Sequence, residues 1–330
     1  MTVERALTQV ETGVAATLFG ADPKTAYRNL AQLIHPDKVD AKLKKRAQEA
    51  FAKLSRLYAE LNGKPAASVE KVIGNWIVSD PLAKGDLCDL YRARSVKDEN
   101  VKAVFKLARS PKDADLLEEE YVSLGILNNF KGSDNFKKYL PRVLDRVEAS
   151  GRRANIVSLA EESHTLADII GLYPNGSLDF RHVIWMANRA LSALGFAHSA
   201  GIVHGCVIPE HLLYGPVTHS LTLVDWCYSV SAESKKHIPA IAKDRKDLYP
   251  PEVSRKFPAH PATDIYMLFA SLSATGAKIP KQFKGIFDWC LASSPRSRPD
   301  SAWELQDRWM KTAEEVYGKP KYIPLEIPKQ

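Results

Sequence analysis

At 330 residues the chain has room for about two domains of ordinary size. Its 45% apolar content supports a sizeable core, and no apolar run is long enough to cross a membrane as a helix. The net charge of +7 comes from Lys and Arg scattered among Asp and Glu, a pattern that fits a solvated surface better than a nucleic-acid footprint and leaves an acidic partner open. The four cysteines, Cys88, Cys206, Cys227 and Cys290, form neither a metal-ligand pair nor a small disulfide framework, so free thiols in a reducing cytosol are expected. Met1-Thr2-Val3-Glu4-Arg5 has no signal-peptide apolar core, and a cytoplasmic, soluble protein is expected.

Residues 3–61 read as helices. Val3, Leu7, Val10, Val14 and Leu18 recur at helical spacing as one run, ended by Gly20. Asp22 then offers an N-cap with Pro23 at the first helical position, and Ala26, Tyr27, Leu30, Leu33 and Ile34 line one face of the next helix. A third helix carries Leu43, Ala47, Ala50, Phe51, Leu54, Leu57, Tyr58 and Leu61, closed by Gly63 and Pro65. Between these two lies His35-Pro36-Asp37-Lys38, where Pro36 forces a turn. Tyr27-Arg28-Asn29-Leu30-Ala31, this turn and the Phe51-containing helix together resemble the J-domain of DnaJ-type co-chaperones, within residues 1–65. The resemblance implies stimulation of a DnaK-type chaperone ATPase by His35, Pro36 and Asp37, with docking by Lys24, Arg28 and Lys38. Gln32 and Leu33 stand where that family often carries positive charge, so the basic face is thinner here. The alternative is a hairpin that keeps the turn and serves only as an extra domain.

After a short linker at 66–70, strand-like patterns appear at Val72-Ile73, at Trp76-Ile77-Val78 and over 87–91. Ala83-Lys84-Gly85-Asp86-Leu87-Cys88 lies among them with Gly85 as its one glycine. Ala103-Val104-Phe105-Lys106 is a strand ending in a lysine, and a helix over about 112–127 carries Glu120, Leu124 and Leu127, with Glu118 and Glu119 as adjacent carboxylates. A strand over 156–162, a long amphipathic helix over 180–199, the loop His204-Gly205-Cys206-Val207-Ile208-Pro209-Glu210-His211, a strand over 221–225 and then Asp225-Trp226-Cys227 follow. Tyr249-Pro250-Pro251-Glu252, Asp264-Ile265-Tyr266 and Arg298-Pro299 complete the series. In this order the segments resemble a eukaryotic-type protein kinase over 71–312, with a small lobe at 71–160 and a large lobe at 163–312. Residues 313–330 are left as an extended, basic, Pro-containing tail. The expected fold is an all-α J-domain-like helical hairpin followed by an α+β, two-lobed protein-kinase-like domain.

That resemblance implies nucleotide binding by Gly85, Lys106, Glu120 and Asp225, with Lys106 paired to Glu120 and Asp225 on a metal. It implies a structural ion pair between Glu252 and Arg298. It also exposes a degenerate loop. Cys206 stands at the position of the catalytic Asp, Ile208 at that of the Lys and His211 at that of the metal-binding Asn. A positioned general base contributes roughly 10²–10⁴-fold, and a short thiol with a reference pKa of ~8.5 replaces it poorly. Ala83 and Cys88 also crowd the phosphate loop. His211 would favour Mn²⁺ over Mg²⁺, or no second metal, unless it is a packed loop residue. ATP is the cofactor implied, with Mg²⁺ or Mn²⁺. Three functions follow: a J-domain adaptor whose pseudokinase binds ATP and an unknown client protein; an atypical ATP-dependent Ser/Thr protein kinase, with Glu210 as the nearest substitute base; or a structural assembly factor without nucleotide.

Overall fold

The computed structural model describes residues 2–20, 22–36, 38–40, 42–61 and 70–327. The chain divides into two compact units, Met1–Val72 with Ile77–Asp80, and Ile73–Trp76 with Pro81–Gln330. Among the described residues, no helix is long and apolar enough to cross a membrane.

The first unit holds helices α1 (Val3–Thr12), α2 (Ala15–Phe19), α3 (Pro23–Leu33) and α4 (Lys44–Leu61). The expected single run to Leu18 is broken. Gly13 takes an extended conformation, and Thr17 Oγ1 accepts the Val14 N–H to start α2. A Cβ on Gly13 would lie 2.6 Å from both Gln9 O and Leu18 Cδ2, so this close turn requires glycine. Val14 is exposed instead of joining the core. Asp22 caps α3 through the Thr25 N–H, as its position predicts. Leu7, Val10, Leu18, Phe19, Leu30, Ile34, Ala47, Ala50 and Leu54 form the core, with Tyr27 stacked on Tyr58. Gly63 and Pro65, the expected stop of α4, lie outside the described residues.

In the sequence that follows, β1 (Lys71–Ile73), β2 (Trp76–Lys84), β3 (Cys88–Ser95), β4 (Lys102–Ala108), β5 (Val143–Ala149) and β6 (Arg152–Ser158) form one sheet in the order β1-β2-β3-β4-β6-β5. Strand β4 is central and buried from Ala103 to Ala108, which matches its unbroken apolar run apart from Lys106. Helix α5 (Ala114–Asn129) packs on β6 and buries Leu117, Glu120, Leu124 and Leu127. Its sequence position puts Glu120 on the face turned to β4.

The larger, mostly helical part follows: β7 (His164–Thr165), α6 (Leu166–Leu172), α7 (Phe180–Ser199), β8 (Ile202–Val203), β9 (Leu212–Gly215), β10 (Ser220–Leu223), β11 (Val230–Ser231), α8 (Pro251–Ser254), α9 (Pro261–Ser273), α10 (Lys281–Cys290) and α11 (Ala302–Tyr317). Helix α7 buries residues on nearly every side, the mark of a helix at the centre of a domain. Gly195 is there because the Trp303 ring lies where a Cβ would stand, 2.6 Å away. Phe180, Phe269, Phe283, Phe287 and Trp309 close the core beneath it in mostly edge-to-face contacts.

The tail differs from expectation. Residues 313–317 remain in α11, because Ala313 is buried in the core. Beyond Gly318 the chain is tied down: Tyr173 donates to Glu326 O, His219 Nε2 lies 2.9 Å from Ile323 O, and Leu325 is buried.

Candidate functional site

Three elements converge on one buried cation. Strand β4 carries Lys106 directly between Leu90 of β3 and Asn155 of β6. Its Nζ lies 2.6 Å from Glu120 Oε1 and 2.8 Å from Asp225 Oδ1, with Cys227 Sγ at 3.5 Å. Of the three adjacent glutamates, only Glu120 reaches it. Glu118 binds Arg146 and Arg153, and Glu119 meets Ser123. Burial opposes charge on Lys106, yet Asp225, Cys227 and Glu120 together hold its pKa well above the ordinary value. Asn155 was not foreseen. It is fully buried and donates Nδ2 to Glu120 Oε2 and to Leu117 O, fixing the carboxylate against α5.

Asp225 leaves β10 in the left-handed region, at φ 67° and ψ 59°, which turns its carboxylate back toward Lys106. Such a conformation is costly for a residue with a Cβ and persists where surrounding contacts fix it. Trp226 provides one, being fully buried and edge-on to the His204 ring at 4.6 Å. Ser229 provides another, donating to Ser123 of α5. Burial would raise the Asp225 pKa, but Lys106 and His211 hold it well below the usual carboxylate range.

The loop 204–211 is hung from α9. Asp264, fully buried, accepts the His204 and Gly205 N–H groups at 2.8 Å and meets His198 Nε2 at 2.9 Å. The two loop histidines differ in charge, and their partners show why. His204 Nδ1 accepts the Cys206 N–H while Nε2 donates to Val224 O, so the ring is neutral. Burial lowers its pKa to about 4. His211 faces acceptors on both sides, Cys206 O at 2.9 Å from Nδ1 and Asp225 Oδ2 at 3.1 Å from Nε2. Burial works against its charge, but Cys206 and Asp225 raise its pKa well above the ordinary value.

At the remaining loop positions, Cys206 and Ile208 are buried. The Cys206 thiol lies 3.0 Å from Tyr249 Oη, and burial pushes its pKa up while His211 and Tyr249 oppose the shift. Tyr249 Oη also accepts the Ala242 N–H. Glu210, the substitute base considered above, is bound by Arg245 through Oε1, while its buried Oε2 has no hydrogen-bond partner. Gly85 sits in the β2–β3 turn, its N–H bonded to Cys88 O and its carbonyl to Arg109. The adjacent Asp86 accepts the Lys243 N–H at 2.8 Å. Segment 242–249 therefore meets both the β2–β3 turn and the 204–211 loop. Sequence carried no signal for these contacts.

Far along the chain, Arg298 forks onto Glu252 with contacts of 2.6 and 3.0 Å, both side chains buried. The expected chaperone-binding residues belong to the other unit. His35 and Pro36 lie between α3 and α4, with the His35 ring edge-on to Phe51 at 5.3 Å. Lys24, Arg28 and Lys38 are exposed, and Asp37 lies outside the described residues.

Among the described residues, Glu120, Asp225 and Cys227 bring three ligand atoms within 4.8 Å of one another, a group able in principle to hold a metal ion. His211 is not in that group. Both its ring nitrogens face acceptors, so neither offers a lone pair, and the sequence-based metal role for His211 does not fit this geometry.

No protein-family model matches the chain. Over 154 residues it is 27% identical to casein kinase II subunit alpha' of Saccharomyces cerevisiae, covering 47% of this chain and 42% of that protein. The chain thus spans about two fifths of the length of that curated relative. Two crystal structures of the Mycobacterium tuberculosis PknI kinase domain superpose with TM-scores of 0.58 and 0.57, at 16% and 17% identity. They cover 73% and 74% of this chain and 98% and 97% of the PknI chains. The helical region gains no identity from these matches. The chain consists of an N-terminal helical region followed by a bilobal α+β protein-kinase-like fold.

Proposed function

We propose that the kinase-like unit binds ATP and works as a binding module, with phosphoryl transfer strongly impaired, and that the helical unit brings a DnaK-type chaperone ATPase to a client held by the chain. The observation that carries this reading is the environment of Cys206. Its thiol is buried against Tyr249 Oη, while Asp225 is paired with Lys106 and His211, and Glu210 with Arg245 through one oxygen. A base must reach the hydroxyl it deprotonates; the position itself holds a thiol, and Glu210, four residues on, is held by Arg245 through Oε1 and leaves only Oε2 without a partner. The Lys106–Glu120–Asp225 cluster supports phosphate binding independently of transfer.

The comparisons favour a second reading, an atypical ATP-dependent Ser/Thr protein kinase, over the co-chaperone adaptor, since the matched proteins are named as kinases. Identities of 16–17% speak for the fold, whereas chemistry is set by the residues of the site.

ATP should raise the melting temperature of the full chain, with a stabilisation of about 2.7 kcal/mol at a hundred times the dissociation constant. Lys106→Met should abolish the shift. A wild-type chain that ATP leaves unmoved would remove the nucleotide reading. For the helical unit, the chain should stimulate a DnaK-type ATPase, and His35→Gln should abolish that stimulation. Equal stimulation by both proteins would end the chaperone reading.

A further inference from the structure

Both oxygens of Asp225 are already taken by nitrogen donors of this chain. Lys106 Nζ donates to Oδ1 at 2.8 Å, and His211 Nε2 lies 3.1 Å from Oδ2. The His211 ring is held in that pose from behind, because its Nδ1 donates to Cys206 O. The other potential ligands of a cation are also engaged. Glu120 is bound by Lys106 through one oxygen and by Asn155 through the other. Lys106 Nζ thus stands among Glu120, Asp225 and Cys227, the three residues whose ligand atoms converge. Each carboxylate oxygen has a second lone pair, but a divalent ion taking it on Asp225 would stand against the Lys106 ammonium or crowd His211 Nε2. Mg²⁺ adds a further difficulty, since it requires oxygen ligands in near-octahedral order and dehydrates reluctantly. The metal that the kinase-like fold implies does not fit these residues.

We infer that this site takes a nucleoside phosphate without a divalent cation, the Lys106 ammonium and the His211 ring nitrogen occupying the sides of Asp225 that a metal would otherwise take. Lys106 has three N–H donors. Two meet carboxylates, and the third faces Cys227 Sγ at 3.5 Å. A thiol is the weakest of these acceptors, so it is the one a phosphate oxygen replaces. This inference rests on the nucleotide reading above and specifies how the phosphate is held.

The test is titration of a fluorescent N-methylanthraniloyl ATP into the full chain, in EDTA and again in excess MgCl₂ or MnCl₂. The expected dissociation constants agree within about twofold across the three buffers. His211→Asn, which frees Asp225 Oδ2 and supplies an amide oxygen, should become cation-dependent, with affinity about tenfold higher in Mg²⁺ than in EDTA. Wild-type binding that appears only with Mg²⁺ or Mn²⁺ would overturn this inference and leave the nucleotide reading standing. Absence of binding in all three buffers would overturn both.

Discussion

Arg298→Ala should destabilise the kinase-like unit more than any exposed substitution. The guanidinium is fully buried, and it forks onto Glu252 while also meeting Ala292 O, Ser293 O and Ala262 O. Its face lies 4.6 Å from the Tyr266 ring. Removing it leaves the Glu252 carboxylate buried with Thr263 Oγ1 as its remaining donor among these contacts. Breaking a buried pair from one side costs about 3–5 kcal/mol, because the abandoned charge stays desolvated. For a unit of this size that corresponds to a melting-temperature fall of roughly 10 °C. Arg298→Lys keeps the charge but loses the planar fork, so an intermediate loss is expected. Urea denaturation of the three proteins checks this, and a loss under about 1 kcal/mol for Arg298→Ala would contradict it.

Acid should weaken the fold from about pH 6.5 downward, and His204 is the principal cause. Its ring is neutral in the folded state with a pKa of about 4, whereas in the unfolded chain an imidazole titrates near 6.5. Below about pH 6.5 the unfolded chain therefore binds a proton that the folded chain refuses, and stability falls with pH. The contribution is complete above that value and gone near the folded pKa, a span of about 3 kcal/mol. Burial lowers His182, His219 and His260 in the same direction. His211 acts in another window, since its raised folded pKa makes its contribution full below about pH 6.5 and lost as pH rises through the folded value. Stability measured by urea at pH 7 and pH 5 should fall by roughly 2 kcal/mol in the wild type. His204→Phe keeps a ring on Trp226 and should start lower at pH 7 but fall less on acidification. Parallel losses in the two proteins would remove His204 as the cause.

The elements were legible where one periodicity governs the residues. The 180–199 helix appears at its expected bounds, and β4 carries its apolar run with Lys106 facing inward. Glu120, Asp225 and Arg298 were singled out by resemblance to protein-kinase motifs, and the structure brings Glu120 and Asp225 to Lys106 and Arg298 to Glu252. Contacts that depend on which side chain happens to arrive from a distant segment were not legible. Strand β5 lacked a strong alternation, and Asn155 read as one polar residue in an apolar strand. Tyr249 on Cys206, Arg245 on Glu210 and Lys243 on Asp86 link residues separated by tens to over a hundred positions. The Gly13 break was hidden because Val14 continues the helical spacing while its side chain points to solvent. Charge pairing at His211 was equally hidden, since a histidine's protonation depends on what faces each nitrogen.

We propose above that the chain keeps a phosphate-binding cluster and lacks the base that transfer needs. Incubation with γ-³²P-labelled ATP, Mg²⁺ or Mn²⁺ and a mixed protein acceptor tests this directly, wild type beside Asp225→Ala. Equal, background-level label in both proteins is predicted. Incorporation by the wild type that Asp225→Ala eliminates would contradict the claim and establish an active kinase.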